Sequence, residues 1–471
     1  MQHIEQIYIN GEFVTPHGTE RFDLYNPATA RVTGQVRLAD AVDAERAIVA
    51  AHAAFPAWSS TGKQARIAAL QRMQAAVAAR HDDLLEAVIE EYGAPASRSA
   101  WMASYPAEVI GQAIAALEAF EFTVPAGAAR VEMTPLGVAG LITPWNSDAG
   151  FICGKLAAAL AAGCTAVIKP SEMSALQTQI VTEALHAADL PPGVFNIVTG
   201  RGDTVGETIS RHPLVAKISF TGSTQTGKAI LRNAAENFTR VTLELGGKSP
   251  TIILDDADIK QAVALALQAG LMNSGQACVA GTRILVPQSR KAEFEQALAQ
   301  AIAAVKSGDP RDNATEVGPM VSEKQWQRVQ EYIRKGLEEG ARLLAGGEGR
   351  PEGARDGWFV RPTLFTDVHN QMAIARDEIF GPVLCVIAYR DEAEAITIAN
   401  DTDYGLSALV LGRDAERTRR VAEQIQSGRV LVNTLTHEPK APFGGFKHSG
   451  VGREMGAWGI SAFMEPKSIL G

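Results

Sequence analysis

Cysteine is scarce in this sequence of 471 residues: four occur, at positions 153, 164, 278 and 385. No two stand at CxxC spacing and no Cys/His cluster has zinc-ligand spacing, so neither a metal site nor a disulfide framework is expected. Reduced thiols in the cytoplasm fit this pattern best. Long apolar runs are missing too. The longest apolar-rich stretch, residues 261–272 (QAVALALQAGLM), carries two Gln and is too short to span a bilayer. The opening MQHIEQIYINGEFV lacks a basic segment followed by an apolar one, so no secretory signal is expected. Nor is there an excess of positive charge. Lys plus Arg is 44 and Asp plus Glu is 53, a net charge of −9, which argues against wrapping nucleic acid.

What is present describes an ordinary globular chain, with 46% apolar and 21% charged residues. Its length suggests roughly three domains or lobes. Asn10-Gly11 between two apolar runs signals a hairpin. Residues 41–121 carry apolar side chains at three- and four-residue steps and are expected to be helical. From residue 136 the period changes. Strands are expected at Val138–Thr143, Thr165–Lys169, Val194–Val198, Lys217–Phe220 and Val241–Leu245, with helices between them. After Gly246-Gly247 a second alternating region begins. Its strands are expected at Pro250–Leu254, Arg283–Pro287, Val383–Tyr389, Ala408–Leu411 and Val430–Val432. Helices are expected at 258–271, 290–306, 322–339 and 413–427, and a surface loop at 345–355. The fold class is therefore α/β, with parallel sheets covered by helices and ligands at the carboxyl ends of the strands.

Several segments carry chemistry. FTGSTQTGKA (220–229) has the G-x-x-x-x-G-K of a P-loop, but Ala229 stands where Ser or Thr would hold magnesium, which argues against nucleotide hydrolysis. A Gly-rich turn able to face a pyrophosphate remains. Cys278 lies among small residues in NSGQACVAGTR, whereas Cys164 and Cys385 sit in bulky apolar runs and read as core. Cys278 is thus either an approachable nucleophile or a plain thiol. Glu244, in the apolar strand VTLELGG, is either a general base with a raised pKa or half of a buried ion pair. Asn146 ends ITPWN as either a helix cap or an oxyanion donor.

ITPWN, KPSE, FTGSTxxG, LELGGKSP, the GQACVAGTR cysteine, EIFGP and PFGGFKHSG occur in this order, with Glu244 and Cys278 34 positions apart. With these motifs the whole chain resembles the NAD(P)-dependent aldehyde dehydrogenase superfamily. The resemblance implies a Rossmann-like NAD-binding domain at 1–116 and 136–246. It also implies an α/β catalytic domain at 247–448 and a small oligomerisation element at 117–135 and 449–471, giving a homodimer or homotetramer. It makes Cys278 the nucleophile, Glu244 the base that activates water, and Asn146 with the Cys278 amide the oxyanion hole. Lys155 and Glu454 match further family positions, the latter a proton relay. Trp145, Lys169, Glu172, Ser223, Gly246, Glu378 and Phe380 are implied as cofactor contacts. Glu172 at the ribose favours NAD over NADP, as an acidic residue does in ordinary Rossmann proteins.

The chain departs from many relatives at Ser147-Asp148 and at Gly154. Missing bulk at Gly154 suggests a wide mouth and a substrate larger than acetaldehyde. Asp148 is expected either to cap the next helix or to meet substrate. His437, Glu438 and Lys440 could recognise a carboxylate tail or simply be solvated. The rival readings are a CoA-acylating semialdehyde dehydrogenase, which generally lacks the base, and a structural protein that keeps the fold.

Overall fold

The computed structural model describes residues 2–354 and 356–470. Met1, Arg355 and Gly471, which end several of the ranges above, lie outside the described residues. Two parallel-stranded sheets organise the chain. The first has eight strands in the order Gly450–Val451, Arg240–Glu244, Val215–Thr221, Val138–Ile142, Thr165–Lys169, Phe195–Ile197, Ile7–Ile9, Glu12–Val14. Its five central strands run parallel, as the alternating strand and helix periods require. Asn10 and Gly11, at φ 55° and 85°, turn the antiparallel edge hairpin as its sequence signals.

The second sheet has seven strands, ordered Arg342–Ala345, Thr363–Thr366, Val383–Tyr389, Arg283–Pro287, Pro250–Ile253, Ser407–Leu411, Arg429–Val432. The strands read from the sequence match to within two residues at either end. Two were missed: Arg342–Ala345, an edge strand largely exposed or half-buried, and Thr363–Thr366, only four residues long. Two small sheets complete the fold. One joins Gln2–Ile4, Arg31–Arg37 and Arg21–Asn26; the other joins Met464–Leu470, Ala129–Pro135 and Thr123–Ala126. Gly450–Val451 does not belong to this last sheet but extends the edge of the first.

The first sheet places the site. The chain steps outward from Val138–Ile142 to Thr165–Lys169 on one side, and from Val215–Thr221 to Arg240–Glu244 on the other. A crevice opens at the carboxyl ends where the direction reverses, and ITPWN, KPSE, the Gly222-Ser223 turn and Glu244 all lie on those ends. The second sheet contributes from its opposite edge. The Cys278 and EIFGP loops both precede strands, Arg283–Pro287 and Val383–Tyr389, that pair with each other.

Arg283 fixes that edge. It is fully buried, and its guanidinium donates to Lys248 O, Asn370 Oδ1, Ile398 O and Ala399 O at 2.8–3.0 Å. Four acceptors therefore depend on one side chain. Arg283→Met keeps the bulk and removes every donor. Urea unfolding is expected to show a loss of about 3 kcal/mol or more; a loss under about 0.5 kcal/mol, the size of a neutral surface change, would contradict this account.

Candidate active site

A cavity of about 540 Å³ lies between the two sheets. Cys278, Glu244, Asn146, Lys155 and Glu454 line it together, and its outer part is walled by Trp101, Tyr105, Val109, Leu435 and Phe443. Gly247 allows the two halves to meet: a Cβ there would sit 2.2 Å from the Cys278 carbonyl.

Glu244 ends its strand, hydrogen-bonded between Thr221 on one side and Gly450 on the other. Its carboxylate is buried, and neither oxygen has a hydrogen-bond partner among the described residues. The ion-pair alternative is therefore wrong. Burial, with Glu454 nearby, pushes its pKa well above the ordinary carboxylate range. Cys278 is the one half-buried cysteine; the other three are buried, as expected of Cys164 and Cys385. Desolvation, then the charges of Glu378 and Glu244, push its thiol up to about 12, while Arg429 pulls the other way.

Asn146 does not cap a helix. Its Nδ2 donates to Gln276 O at 3.1 Å, and its own carbonyl accepts from Asn273 Nδ2 at 3.1 Å. One amide N–H goes to Gln276, leaving the second available to an oxygen in the cavity. Lys155 donates to Ser219 Oγ at 2.9 Å and pairs with Glu454 at 2.5 Å.

The residues implied as cofactor contacts follow the edge of the crevice. Lys169 Nζ lies 3.3 Å from Glu172 Oε2, and Arg201 Nη1 lies 3.4 Å from Glu172 Oε1. Ser223 caps the helix Thr224–Ala235 by accepting from Thr226 N. In the P-loop-like segment, Gly227 serves packing, since a Cβ there would press on Leu245 at 2.6 Å. Glu378 accepts from Gly247 N at 3.0 Å through Oε1, and a Cβ on Gly246 would meet Glu378 Oε2 at 2.5 Å and displace that carboxylate. Phe380 holds a left-handed φ of 62° and meets Trp145 edge to face at 5.4 Å. Carboxylates at Glu172 and Glu378 and the Trp145–Phe380 pair offer the polar and aromatic groups that an extended dinucleotide needs. No group of three His, Cys, Asp or Glu side chains is placed to hold a metal ion among the described residues.

Two readings need correction. Asp148 neither caps through its side chain nor meets substrate. It is fully buried and accepts from Thr143 Oγ1 at 3.0 Å and Thr178 Oγ1 at 2.8 Å, tying one strand end to the next helix. Of the His437, Glu438 and Lys440 set, only His437 faces the cavity, and burial lowers its pKa, so it offers no fixed charge to a carboxylate. Gly154 does line the cavity, and Val109 stands 3.1 Å from where a Cβ would be. Sequence reasoning missed Arg98, Asn273 and Arg429: Asn273 sits in an irregular turn, Arg429 starts an edge strand, and Arg98 is one polar residue near the start of the helix Ala96–Ala119 with nothing local to mark it.

The two-sheet α/β frame, with a half-buried thiol in the cavity between its sheets, is that of an oxidoreductase family. The chain belongs to the aldehyde dehydrogenase family, whose profile matches residues 13–469. A Staphylococcus haemolyticus protein named for the same family is 45% identical over 473 residues, covering 100% of this chain and 99% of its own length. Among solved structures, a cysteine-to-alanine variant of aldehyde dehydrogenase C from Pseudomonas syringae, complexed with NAD+ and octanal, superposes with a TM-score of 0.97. It is 43% identical, with 99% of this chain and 96% of that chain covered. The Mycobacterium tuberculosis aldehyde dehydrogenase complexed with NAD+ gives 0.96 at 38% identity, covering 100% and 98%.

The raised Cys278 pKa has a signed consequence. Below it the thiol is neutral, so in the cofactor-free protein the alkylation rate of Cys278 by iodoacetamide should climb about tenfold per pH unit from 7 to 9. A plateau beginning below pH 8 would show a thiolate already formed and contradict the reading.

Proposed function

We propose that this protein oxidises an aldehyde larger than acetaldehyde to its carboxylic acid with NAD, through a thioester on Cys278 that water hydrolyses. The observation that carries this is the convergence of Cys278, Glu244 and Asn146 on one cavity with aromatic and aliphatic outer walls. Glu244 takes the thiol proton, and the sulfur adds to the carbonyl carbon. The second N–H of Asn146 and the amide of Cys278 receive the oxyanion, each donor typically worth about 10²–10³ in turnover. Bound NAD supplies an acceptor for the hydride that leaves the carbon attached to Cys278. Glu244 then removes a proton from water, whose oxygen displaces the sulfur. Its unpartnered carboxyl suits both proton transfers, since no competing bond holds it in one charge state. Lys155 and Glu454, tied to each other and to Ser219, offer the proton a path onward.

Lys169 and Glu172 would hold the adenosine ribose, Ser223 the pyrophosphate, and Gly246, Glu378, Phe380 and Trp145 the nicotinamide end. Glu172 favours NAD because a 2′-phosphate would meet its charge. The cofactor belongs to residues 1–116 and 136–246, and the catalytic unit is 247–448. Residues 117–135 with 449–471 form the surface of a homodimer or homotetramer. Ile469 and Leu470, 37% and 76% exposed on an edge strand, support such a surface. Four free cysteines, and no described helix long and apolar enough to cross a membrane, are consistent with a cytoplasmic setting.

The outer walls, with Trp101, Tyr105, Val109 and Phe443, suit a long aliphatic or ring-bearing aldehyde. Formation of NADH should rise from acetaldehyde to octanal and vanish in Cys278→Ala. Gly154→Phe should lower the ratio of kcat/KM for octanal over propanal about tenfold, since the ring fills space shared with Val109. Best turnover with acetaldehyde, or turnover that requires CoA, would contradict this reading.

A further inference from the structure

The segment leading to the nucleophile has an unusual backbone. Asn273, Ser274 and Gly275 take consecutive left-handed conformations, with φ of 56°, 59° and 75°. For the two residues that carry a Cβ, this conformation is strained. Gly275 cannot be replaced, because a Cβ would lie 2.2 Å from the backbone of Gly381. Such a turn persists only where its surroundings hold it. Ser274 Oγ accepts from Gly318 N at 2.9 Å, and Asn273 O accepts from Tyr92 Oη at 3.3 Å. Gln276 is fixed through Val321 N, which donates to its Oε1 at 3.0 Å.

Within this turn the Asn273 side chain uses both ends of its amide. Its Nδ2 donates to the Asn146 carbonyl, and its Oδ1 accepts from Arg98 Nε at 2.9 Å. The guanidinium of Arg98 lies flat on Trp101, 3.8 Å from the ring centroid, and Trp101 stacks on Tyr105 at 4.5 Å. A continuous series of contacts thus runs from the aromatic wall of the cavity to the backbone of Asn146. Asn146 is tied to the nucleophile turn twice, through its backbone by Asn273 and through its side chain by Gln276. The two ties fix both the position of the residue and the plane of its amide.

We propose that Asn273 and Arg98 are positioning residues that hold the free amide N–H of Asn146 toward the carbonyl oxygen of an aldehyde bound at Cys278. This rests on the aldehyde-oxidising reading above. Neither residue touches the reacting atoms. Asn273 supplies the bond and Arg98 orients Asn273. Because an oxyanion donor acts only at hydrogen-bond distance, a displacement of about 1 Å is enough to cost up to about 10² in rate.

The test separates oxyanion alignment from general loosening of the turn. Asn273→Ala and Arg98→Met are assayed for aldehyde oxidation, for hydrolysis of p-nitrophenyl acetate without cofactor, and for alkylation of Cys278 by iodoacetamide. Ester hydrolysis passes through a tetrahedral oxyanion, and alkylation does not. Both variants should lose tenfold or more in kcat for oxidation and in ester hydrolysis, while alkylation stays within twofold of wild type. Arg98→Lys, which keeps a donor, should recover most of the loss. Asn146→Ala combined with Asn273→Ala should be no worse than Asn146→Ala alone, since both remove one function. Unchanged ester hydrolysis in both single variants, alkylation that falls in step with turnover, or additive losses in the double variant would overturn the proposal. If Asn273→Ala does not fold, Arg98→Met at the half-buried mouth still decides. A wild-type protein that hydrolyses the ester yet oxidises no aldehyde would overturn the functional reading, and the aldehyde with it; ester hydrolysis by the two variants would still decide whether they align Asn146.

Discussion

Burying the Glu244 carboxyl without a hydrogen-bond partner is unfavourable by several kcal/mol if it is charged, and the site is built around that constraint. The group is held in place by its backbone rather than by its oxygens, in a strand paired on both sides. The Gly-rich segment near the C-terminus closes over it. Gly444 must lack a side chain because a Cβ would lie 2.8 Å from Glu244 Oε1, and Gly450 because a Cβ would lie 2.0 Å from Leu243 O. Two glycines of PFGGFKHSG thus bring bare backbone against the buried carboxyl and its strand. The consequence is chemical: a base whose proton affinity is raised by desolvation can take protons from a thiol and then from water.

Burial acts on Cys278 as well. Desolvation, then Glu378 and Glu244, raise the proton affinity of Cys278, and Arg429 opposes them. The resting thiol is consequently neutral, and the site withholds its nucleophile until proton transfer to Glu244 releases it.

Much of this was legible in the sequence, for identifiable reasons. The strands of the two central sheets are short β-rich runs bounded by Gly and Pro, and their period is unmistakable. Cys278 stood out because small residues flank it, and Glu244 because a charged residue in an apolar strand demands an explanation. Asp148 was misread because a carboxylate just after Asn146 and Ser147 looks like a helix cap. Only the fold brings Thr143 and Thr178 to it from separate elements. Thr363–Thr366 was missed although its neighbours in the sheet bury it completely. Arg98 and Asn273 lie 175 positions apart, and no local pattern can announce a hydrogen bond over that separation.

The central claim is that Glu244 activates the water that releases the acid. Its most direct test is mass spectrometry of Glu244→Gln after prolonged exposure to octanal and NAD. The account predicts slow formation of one equivalent of NADH per chain, since the thiol must lose its proton to solvent, and a lasting mass gain of one octanoyl group on Cys278, with hydrolysis stalled. An unmodified Cys278 with continued turnover would contradict it.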